Sequence, residues 1–297
     1  MQARLFKADA LLMLTAIIWG AAFVAQRLGM EHIGPFTFNG IRFALGALAL
    51  QPLIWRMQAT RAREGGAAGQ GLDSARLIRF GLLAGCVLFA GAALQQVGIV
   101  YTTAGKAGFI TGLYVVMVPL FGLFLRQRAG AGTWIGALAA AVGLYLLSVN
   151  EDFTIAYGDV LELIGAVFWA GHVLLIGRLS PGMDATDAVK LASAQFAVCS
   201  LLSLGVAVAT EPIVLAGISA AAVPILYGGL MSVGVAYTLQ VVAQRDANPA
   251  HAAIILSLEA VFAAVAGYFV LGEVLAVRAL IGCALMLGGM LVSQLKP

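Results

Sequence analysis

The sequence has too little charge for an ordinary soluble domain. Asp, Glu, Lys and Arg make up 10% of its 297 residues and hydrophobic residues 62%, whereas about a quarter of a soluble domain is charged. Several apolar runs have about twenty residues, the length at which a helix crosses the roughly 30 Å core of a bilayer. A membrane β-barrel would show short alternating segments instead. The composition therefore predicts an all-α integral membrane protein that is surrounded by a lipid bilayer.

Cysteines and catalytic motifs are scarce as well. The three cysteines, Cys86, Cys199 and Cys283, stand alone in apolar runs, so their spacing indicates neither a disulfide framework nor a zinc site. The sequence contains no glycine-rich phosphate loop, no GxSxG, no HExxH and no clustered metal ligands. We therefore predict a protein that is not an enzyme, hydrolyses no ATP, binds no metal or cofactor and has no nucleic-acid partner.

The apolar runs divide the chain into ten predicted helices. Their approximate bounds are 8–28, 36–55, 77–99, 104–126, 131–149, 157–178, 187–209, 221–243, 249–271 and 276–295. One connection is long, at 56–76, and its stretch GGAAGQG predicts a flexible loop. The first run has no clear cleavage site after it, which favours a retained membrane helix over a signal peptide.

The basic residues predict how the helices are oriented. If the N-terminus is cytoplasmic, thirteen of the 17 basic residues fall on the inner side, and four fall in the outer half, namely Arg27, Arg42, Lys106 and Arg278. An excess of positive charge on the inner side is typical of membrane proteins. The stretch 150–159 carries three acids and no base, as expected for an outer loop. We therefore predict a multi-pass protein of the bacterial inner membrane with both termini in the cytoplasm.

The two halves of the chain are similar to each other. A shift of 145 residues aligns Lys106 with His251, Tyr114 with Glu259, Arg128 with Glu273 and Ser148 with Ser293. The halves 1–149 and 150–297 contain five predicted helices each. Because five is odd, the second half enters the membrane from the opposite side, so the sequence predicts an inverted repeat. Inverted repeats are typical of secondary transporters, whose substrate site lies near the midplane between the repeats.

Three stretches carry motifs that occur together in one family. They are 16–48, with Trp-Gly in the first helix and Arg-Phe in the second; 109–128; and 237–273, which contains SLE and LGE. In this order they resemble the EamA-type ten-helix bacterial exporters of the drug/metabolite transporter superfamily. The sequence departs from that pattern at Ala260, where proline is common, and at Arg128, where an acid is frequent. The resemblance implies export of amino acids or other small amphipathic metabolites.

Two tryptophans are predicted near the middle of their helices, Trp19 in the first and Trp169 in the sixth. Aromatic belts lie at the membrane interfaces, so central tryptophans in matching helices favour a cavity wall, with helix packing as the alternative. Phe23 and Gln26 follow Trp19 on the same helix face. These residues predict a site near the midplane where both tryptophans enclose an apolar or aromatic group.

Glu259 is the one acid predicted at mid-depth, paired by the repeat with Tyr114. A carboxylate in lipid is costly, which indicates a function. Glu259 can bind a substrate ammonium group, exchange a proton, or only bond a neighbouring helix. Arg42 can bind a carboxylate, although an ion pair or carbonyl contacts are the commoner role. The other candidate substrate-binding residues are His172, Tyr237, Gln240 and Gln95; Tyr237 and Gln240 are predicted to line an inner vestibule or to cap a loop.

These observations predict a secondary transporter that exports amino acids with aromatic or large apolar side chains by alternating access. A carrier of phosphorylated metabolites or nucleotide sugars is the alternative, but it would need several bases in its cavity. An intramembrane enzyme is disfavoured because Glu162 and His172, ten positions apart, are separated by about 15 Å along one helix. A receptor has no soluble domain to support it. The sequence selects neither the coupling ion, for which a proton is one choice, nor the oligomeric state.

Overall fold

The computed structural model describes residues 2–63, 73–102, 104–126, 129–148, 156–271 and 276–295, and these residues form helices without a strand. The predicted all-α class is therefore confirmed. The α-helices are α1 (Gln2–Gly29), α2 (Pro35–Ala49), α3 (Gln51–Arg63), α4 (Ser74–Tyr101), α5 (Ala104–Gly112), α6 (Tyr114–Phe124), α7 (Ala131–Ser148), α8 (Tyr157–Leu179), α9 (Ala185–Thr210), α10 (Leu215–Ala220), α11 (Ala222–Leu226), α12 (Thr238–Ala243), α13 (Pro249–Leu256), α14 (Glu259–Leu271) and α15 (Val277–Leu295). The predicted glycine-rich loop and the positions Arg128, Glu151, Asp152 and Glu273 lie outside the described residues.

Seven helical stretches in the described residues are long and apolar enough to cross a membrane. They are Arg4–Gly29, Ser74–Tyr101, Ala107–Phe124, Tyr157–Leu179, Ala185–Thr210, Ala222–Ala243 and Pro249–Val270. Two apolar helical stretches are shorter, Ala131–Leu146 and Val277–Ser293. The chain is thus a multi-pass membrane protein, while the number of ten spans stays a prediction.

Contacts between helix ends show that α9 runs antiparallel to the α2–α3 stretch. Glu211, which follows α9, accepts hydrogen bonds from the backbone N–H of Thr37 at 2.8 Å and from its hydroxyl at 2.7 Å, at the start of α2. At the opposite end, Arg61 of α3 lies 2.8 Å from Asp184, which precedes α9. A carboxylate at the start of a helix also stabilises its unpaired N–H groups. The bundle therefore has two polar ends joined by apolar helices.

His251 joins three helices at the end of the bundle where α1 begins. It lies in α13, and its ring nitrogens are 3.0 Å from Asp9 Oδ1 in α1 and 2.8 Å from Ser293 Oγ in α15. These three residues come from opposite ends of the chain. The contact therefore holds the start of α1 against the C-terminal helices.

We expect His251→Ala to lower the thermal stability of the protein in detergent. Hydrogen bonds between membrane helices contribute about 0.6 kcal/mol each on average and up to about 1.7 kcal/mol, so the loss of both bonds should cost about 1–3 kcal/mol. The measurement is thermal unfolding of the purified protein. Ser293→Ala removes one of the two bonds and should cost about half as much. An unchanged unfolding midpoint for His251→Ala would contradict this bridging role.

The predicted fourth and ninth helices are each interrupted once. The N–H of Leu113 donates to the carbonyl three residues earlier at 3.2 Å, and that of Leu258 does the same at 3.1 Å, whereas a regular α-helix reaches back four residues. The interruptions have the same 145-residue offset that separates Tyr114 from Glu259. Each of these two residues therefore begins a new helix at an equivalent position of its half.

The predicted eighth helix contains a π-helical segment, Tyr227–Tyr237, between α11 and α12. The π-helix is rare in proteins, and where it occurs it often lies at a functional site. The segment lies very close to α2, because a Cβ added at Gly46 would meet Val233 Cγ1 at 2.3 Å and one at Gly229 would meet Leu45 Cβ at 2.8 Å. Glycine at these two positions therefore permits the close approach.

Candidate functional site

A cavity lies in the middle of the bundle, enclosed by helices of both halves. Its empty space is about 470 Å³, a figure that includes the open mouth of the cavity. All but one of the residues predicted to bind substrate line it: Trp19, Phe23, Gln26, Arg42, Gln95, Tyr114, Trp169, Tyr237, Gln240 and Glu259. The exception is His172. The helices thus bring residues from across the sequence to a single cavity.

The aromatic wall of the cavity is centred on Tyr237. Its ring centre is 4.4 Å from that of Trp19 and 6.1 Å from that of Trp169. The Trp19 indole N–H donates to the carbonyl of Ser232 at 3.2 Å, while the Trp169 ring lies over Gly91, where an added Cβ would come within 3.2 Å. The two tryptophans line the same cavity, and Tyr237 is in ring contact with both of them.

The acid of the cavity is Glu259, which is 4% exposed. Tyr114 donates a hydrogen bond from its hydroxyl to Glu259 Oε1 at 3.1 Å, so the pair matched by the repeat is in contact. Gly20 lets α1 approach closely here, since a Cβ at that position would lie 2.7 Å from the Glu259 carbonyl oxygen. Among the described residues the side-chain carboxylate of Glu259 has no other hydrogen bond and no ion pair. Its Oε2 atom is therefore available to a ligand.

The base of the cavity is Arg42, which is 2% exposed. Its Nε donates to Asn39 Oδ1 at 2.9 Å, and its guanidinium carbon lies 5.0 Å from the ring centre of Phe43 and 5.5 Å from that of Phe38. No carboxylate in the described part of the chain forms an ion pair with it. Burying a charge without a counterion is costly, so an anionic ligand group would stabilise this arginine.

Three glutamines place amide groups in the cavity. Gln26 donates to the carbonyl of Ala22 at 3.2 Å, and Gln240 donates to Gln244 Oε1 at 3.0 Å. The Oε1 atoms of Gln26 and Gln240 are buried without a hydrogen-bond partner. Gln95 is 6% exposed. These amides can accept hydrogen bonds from a bound molecule. The sequence predicts Gln240 and Tyr237 in an inner vestibule or at a loop cap, and in the structure both line the same cavity as Glu259.

Two polar residues of α8 lie outside the cavity wall. His172 lies behind Trp169 at 6.2 Å between ring centres, and its Nε2 is 2.9 Å from Gln195 Oε1. Glu162 is fully buried and its Oε2 accepts a hydrogen bond from the Thr111 hydroxyl at 3.1 Å. Glu162 is thus a fully buried acid near the start of α8 that does not line the cavity. That Glu259 is the one acid at mid-depth of the membrane stays a prediction.

Five residues that line the cavity were not predicted from the sequence. Two of them, Thr111 and Leu256, could have been found from their spacing. They precede Tyr114 and Glu259 by three positions, and residues with this spacing share a helix face. Ser232 could not have been found in this way, because it contributes its backbone carbonyl from the π-helical segment. The remaining two are Ala22 and Val173.

Comparison with known proteins gives consistent matches along the whole chain. The EamA-like transporter family model matches residues 6–149 and 156–294. An uncharacterized transporter of Archaeoglobus fulgidus is 31% identical over 97% of this chain and 86% of its own length. The uncharacterized inner membrane transporter YedA of Escherichia coli K12 is 27% identical over 87% of this chain and 81% of its own. A crystal structure with 17% identity has the same fold, with a TM-score of 0.75 over 97% of this chain and 96% of that one.

Proposed function

Because the chain belongs to the EamA-like transporter family, we propose that it is a secondary transporter that exports small amphipathic metabolites across the bacterial inner membrane. Its ten membrane-spanning helices form two inverted five-helix repeats, 1–149 and 150–297, with both termini in the cytoplasm. Transport proceeds by alternating access to the central cavity. The preferred substrates are amino acids with aromatic or large apolar side chains.

One observation carries the choice of substrate. An acid and a base without ion-pair partners in the described residues, Glu259 and Arg42, line the same aromatic cavity. A zwitterion presents an ammonium group to the first and a carboxylate to the second, while Trp19 and Trp169 contact its side chain. A phosphorylated metabolite would bring about −1.5 to −2 charges to one guanidinium beside a carboxylate. The cavity therefore favours amino acids over phosphorylated metabolites and nucleotide sugars.

The interruptions before Tyr114 and Glu259 support the inverted repeat. Transporters with this architecture bind substrates near helices that are broken at the midplane. Here the two interruptions have one common offset, and the residue after each lines the cavity. Such breaks let the two halves of a helix tilt separately, which suits a site that opens to either side in turn.

Transport by the purified protein in liposomes tests the proposed function. Liposomes loaded with unlabelled phenylalanine should accumulate labelled phenylalanine or leucine by exchange. Glucose 6-phosphate and UDP-glucose should exchange at the background rate of liposomes without protein. Exchange of the two phosphorylated compounds in place of the amino acids would overturn the proposal and favour the alternative carrier.

Trp169→Ala should weaken the apparent affinity for phenylalanine by about ten- to a hundredfold. The loss of apolar contact is about 1–3 kcal/mol, and about 1.4 kcal/mol corresponds to a factor of ten. Exchange assays with phenylalanine and threonine measure it, and the loss should be larger for phenylalanine. Trp55, which is 67% exposed outside the cavity, provides the control variant Trp55→Ala. Equal losses for both substrates would mean that Trp169 only packs helices.

A further inference from the structure

The ring of Tyr237 occupies the space between the two cavity tryptophans. It is tilted against Trp19 at 4.4 Å and stacked on Trp169 with an interplanar angle of 26°. Phe43 and Phe196 lie at 6.0 Å on its other sides. With the His172 imidazole at 6.3 Å, five aromatic rings contact this one side chain, at the position where the two tryptophans would otherwise enclose the ring of a substrate.

The surroundings of Tyr237 fit its ring better than its hydroxyl. Within the described residues the Tyr237 hydroxyl has no hydrogen-bond partner, and it does not belong to the fully buried polar atoms, although the side chain as a whole is 5% exposed. Tyr114 provides a contrast, since its hydroxyl donates to Glu259. The position of Tyr237 is therefore determined by aromatic contact, which a ligand ring can also provide.

The backbone at Tyr237 offers a way to move the ring. Tyr237 is the last residue of the π-helical segment, and α-helices precede and follow that segment. Successive residues of an α-helix are about 100° apart around its axis. Conversion of a π turn to an α turn would therefore rotate Tyr237 relative to α11.

We propose that Tyr237 is a specificity-determining residue that fills the aromatic slot between Trp19 and Trp169 in the empty transporter and leaves it when a substrate ring binds. The ligand of the slot is the aromatic ring of the substrate side chain. The tyrosine ring keeps the slot from collapsing or filling with water, and substrates without a ring have no reason to displace it. This inference deepens the proposed function and rests on it.

Binding of indole to the purified protein tests the slot without any transport. Apolar cavities of the size of a ring bind small aromatic molecules. Tyr237→Ala should therefore bind indole at least tenfold more tightly than the wild type, measured by isothermal titration calorimetry. Tyr237→Phe keeps the ring and should bind indole as weakly as the wild type. Tyr227→Ala, a change in the same segment outside the cavity, should also leave binding unchanged.

Substrate competition provides the second readout. Tyr237→Ala should lower the KM for phenylalanine relative to that for leucine by at least fivefold, while Tyr237→Phe should leave the ratio unchanged. Tyr237→Leu should lower the same KM ratio by a smaller factor. It replaces Tyr237→Ala if the alanine variant does not fold.

The outcomes separate the slot from the proposed function. Unchanged indole binding in folded Tyr237→Ala and Tyr237→Leu would overturn the inference and make Tyr237 a permanent part of the wall. Tighter indole binding together with no amino-acid exchange by the wild type would support the slot and overturn the proposed substrate class. Tighter indole binding together with the shifted KM ratio would support both.

Discussion

Arg42→Gln is expected to weaken the apparent affinity for phenylalanine by about 30- to 3,000-fold. Removal of one partner from a buried charge pair costs about 2–5 kcal/mol, and about 1.4 kcal/mol corresponds to a factor of ten. The guanidinium is buried and has no carboxylate partner in the described part of the chain. A substrate carboxylate would therefore provide its only ion pair. Glutamine retains hydrogen-bond donors but not the charge.

A series of three ligands shows whether Arg42 acts through the carboxylate. Phenylalanine and 3-phenylpropionate have the carboxylate and should lose affinity in Arg42→Gln, whereas phenethylamine lacks it and should not. The measurement is competition against labelled substrate in liposomes. Arg27→Gln is the matched control, because Arg27 donates to the Ile99 carbonyl at 3.0 Å and does not line the cavity. An equal loss of affinity for phenethylamine would show that Arg42 maintains the shape of the cavity and does not bind the carboxylate.

Glu259→Gln should weaken the apparent affinity by a similar factor, but for the ligands that carry an ammonium group and not for those that carry only a carboxylate. The Glu259 carboxylate accepts one hydrogen bond from Tyr114, which the glutamine carbonyl can also accept, so the variant removes the charge and retains this contact. Phenylalanine and phenethylamine carry the ammonium group and should lose about 30- to 3,000-fold in apparent affinity. The affinity for 3-phenylpropionate should be unchanged.

Glu162→Gln is the matched control for this acid. Glu162 is also fully buried and hydrogen-bonded to a hydroxyl, that of Thr111, but it does not line the cavity. Glu162→Gln should leave the relative apparent affinities for the three ligands unchanged. If Glu259→Gln instead abolished the pH dependence of transport for all three ligands alike, Glu259 would act in proton exchange and not in ammonium binding.

The sequence determined the class of the protein and most of the candidate site. The length and number of the apolar runs indicate membrane helices, because an uninterrupted apolar helix is the simplest way to satisfy backbone groups in lipid. Glu259, Arg42 and the central tryptophans are identified by the same reasoning, since charge and aromatic rings at mid-span need a protein environment. The 145-residue offset paired Tyr114 with Glu259, and the two side chains are hydrogen-bonded.

Only the tertiary structure decided which groups meet inside the cavity. These helices are apolar on every side, so periodicity does not show which face is turned inward, and His172 could not be separated from Trp169 by sequence alone. The interruptions before Tyr114 and Glu259 and the π turn before Tyr237 change hydrogen bonds by one position. The local sequence does not indicate these changes, which lie where helices of both halves pack together around the cavity. The place of Tyr237 between Trp19 and Trp169 follows from that packing and not from the local sequence.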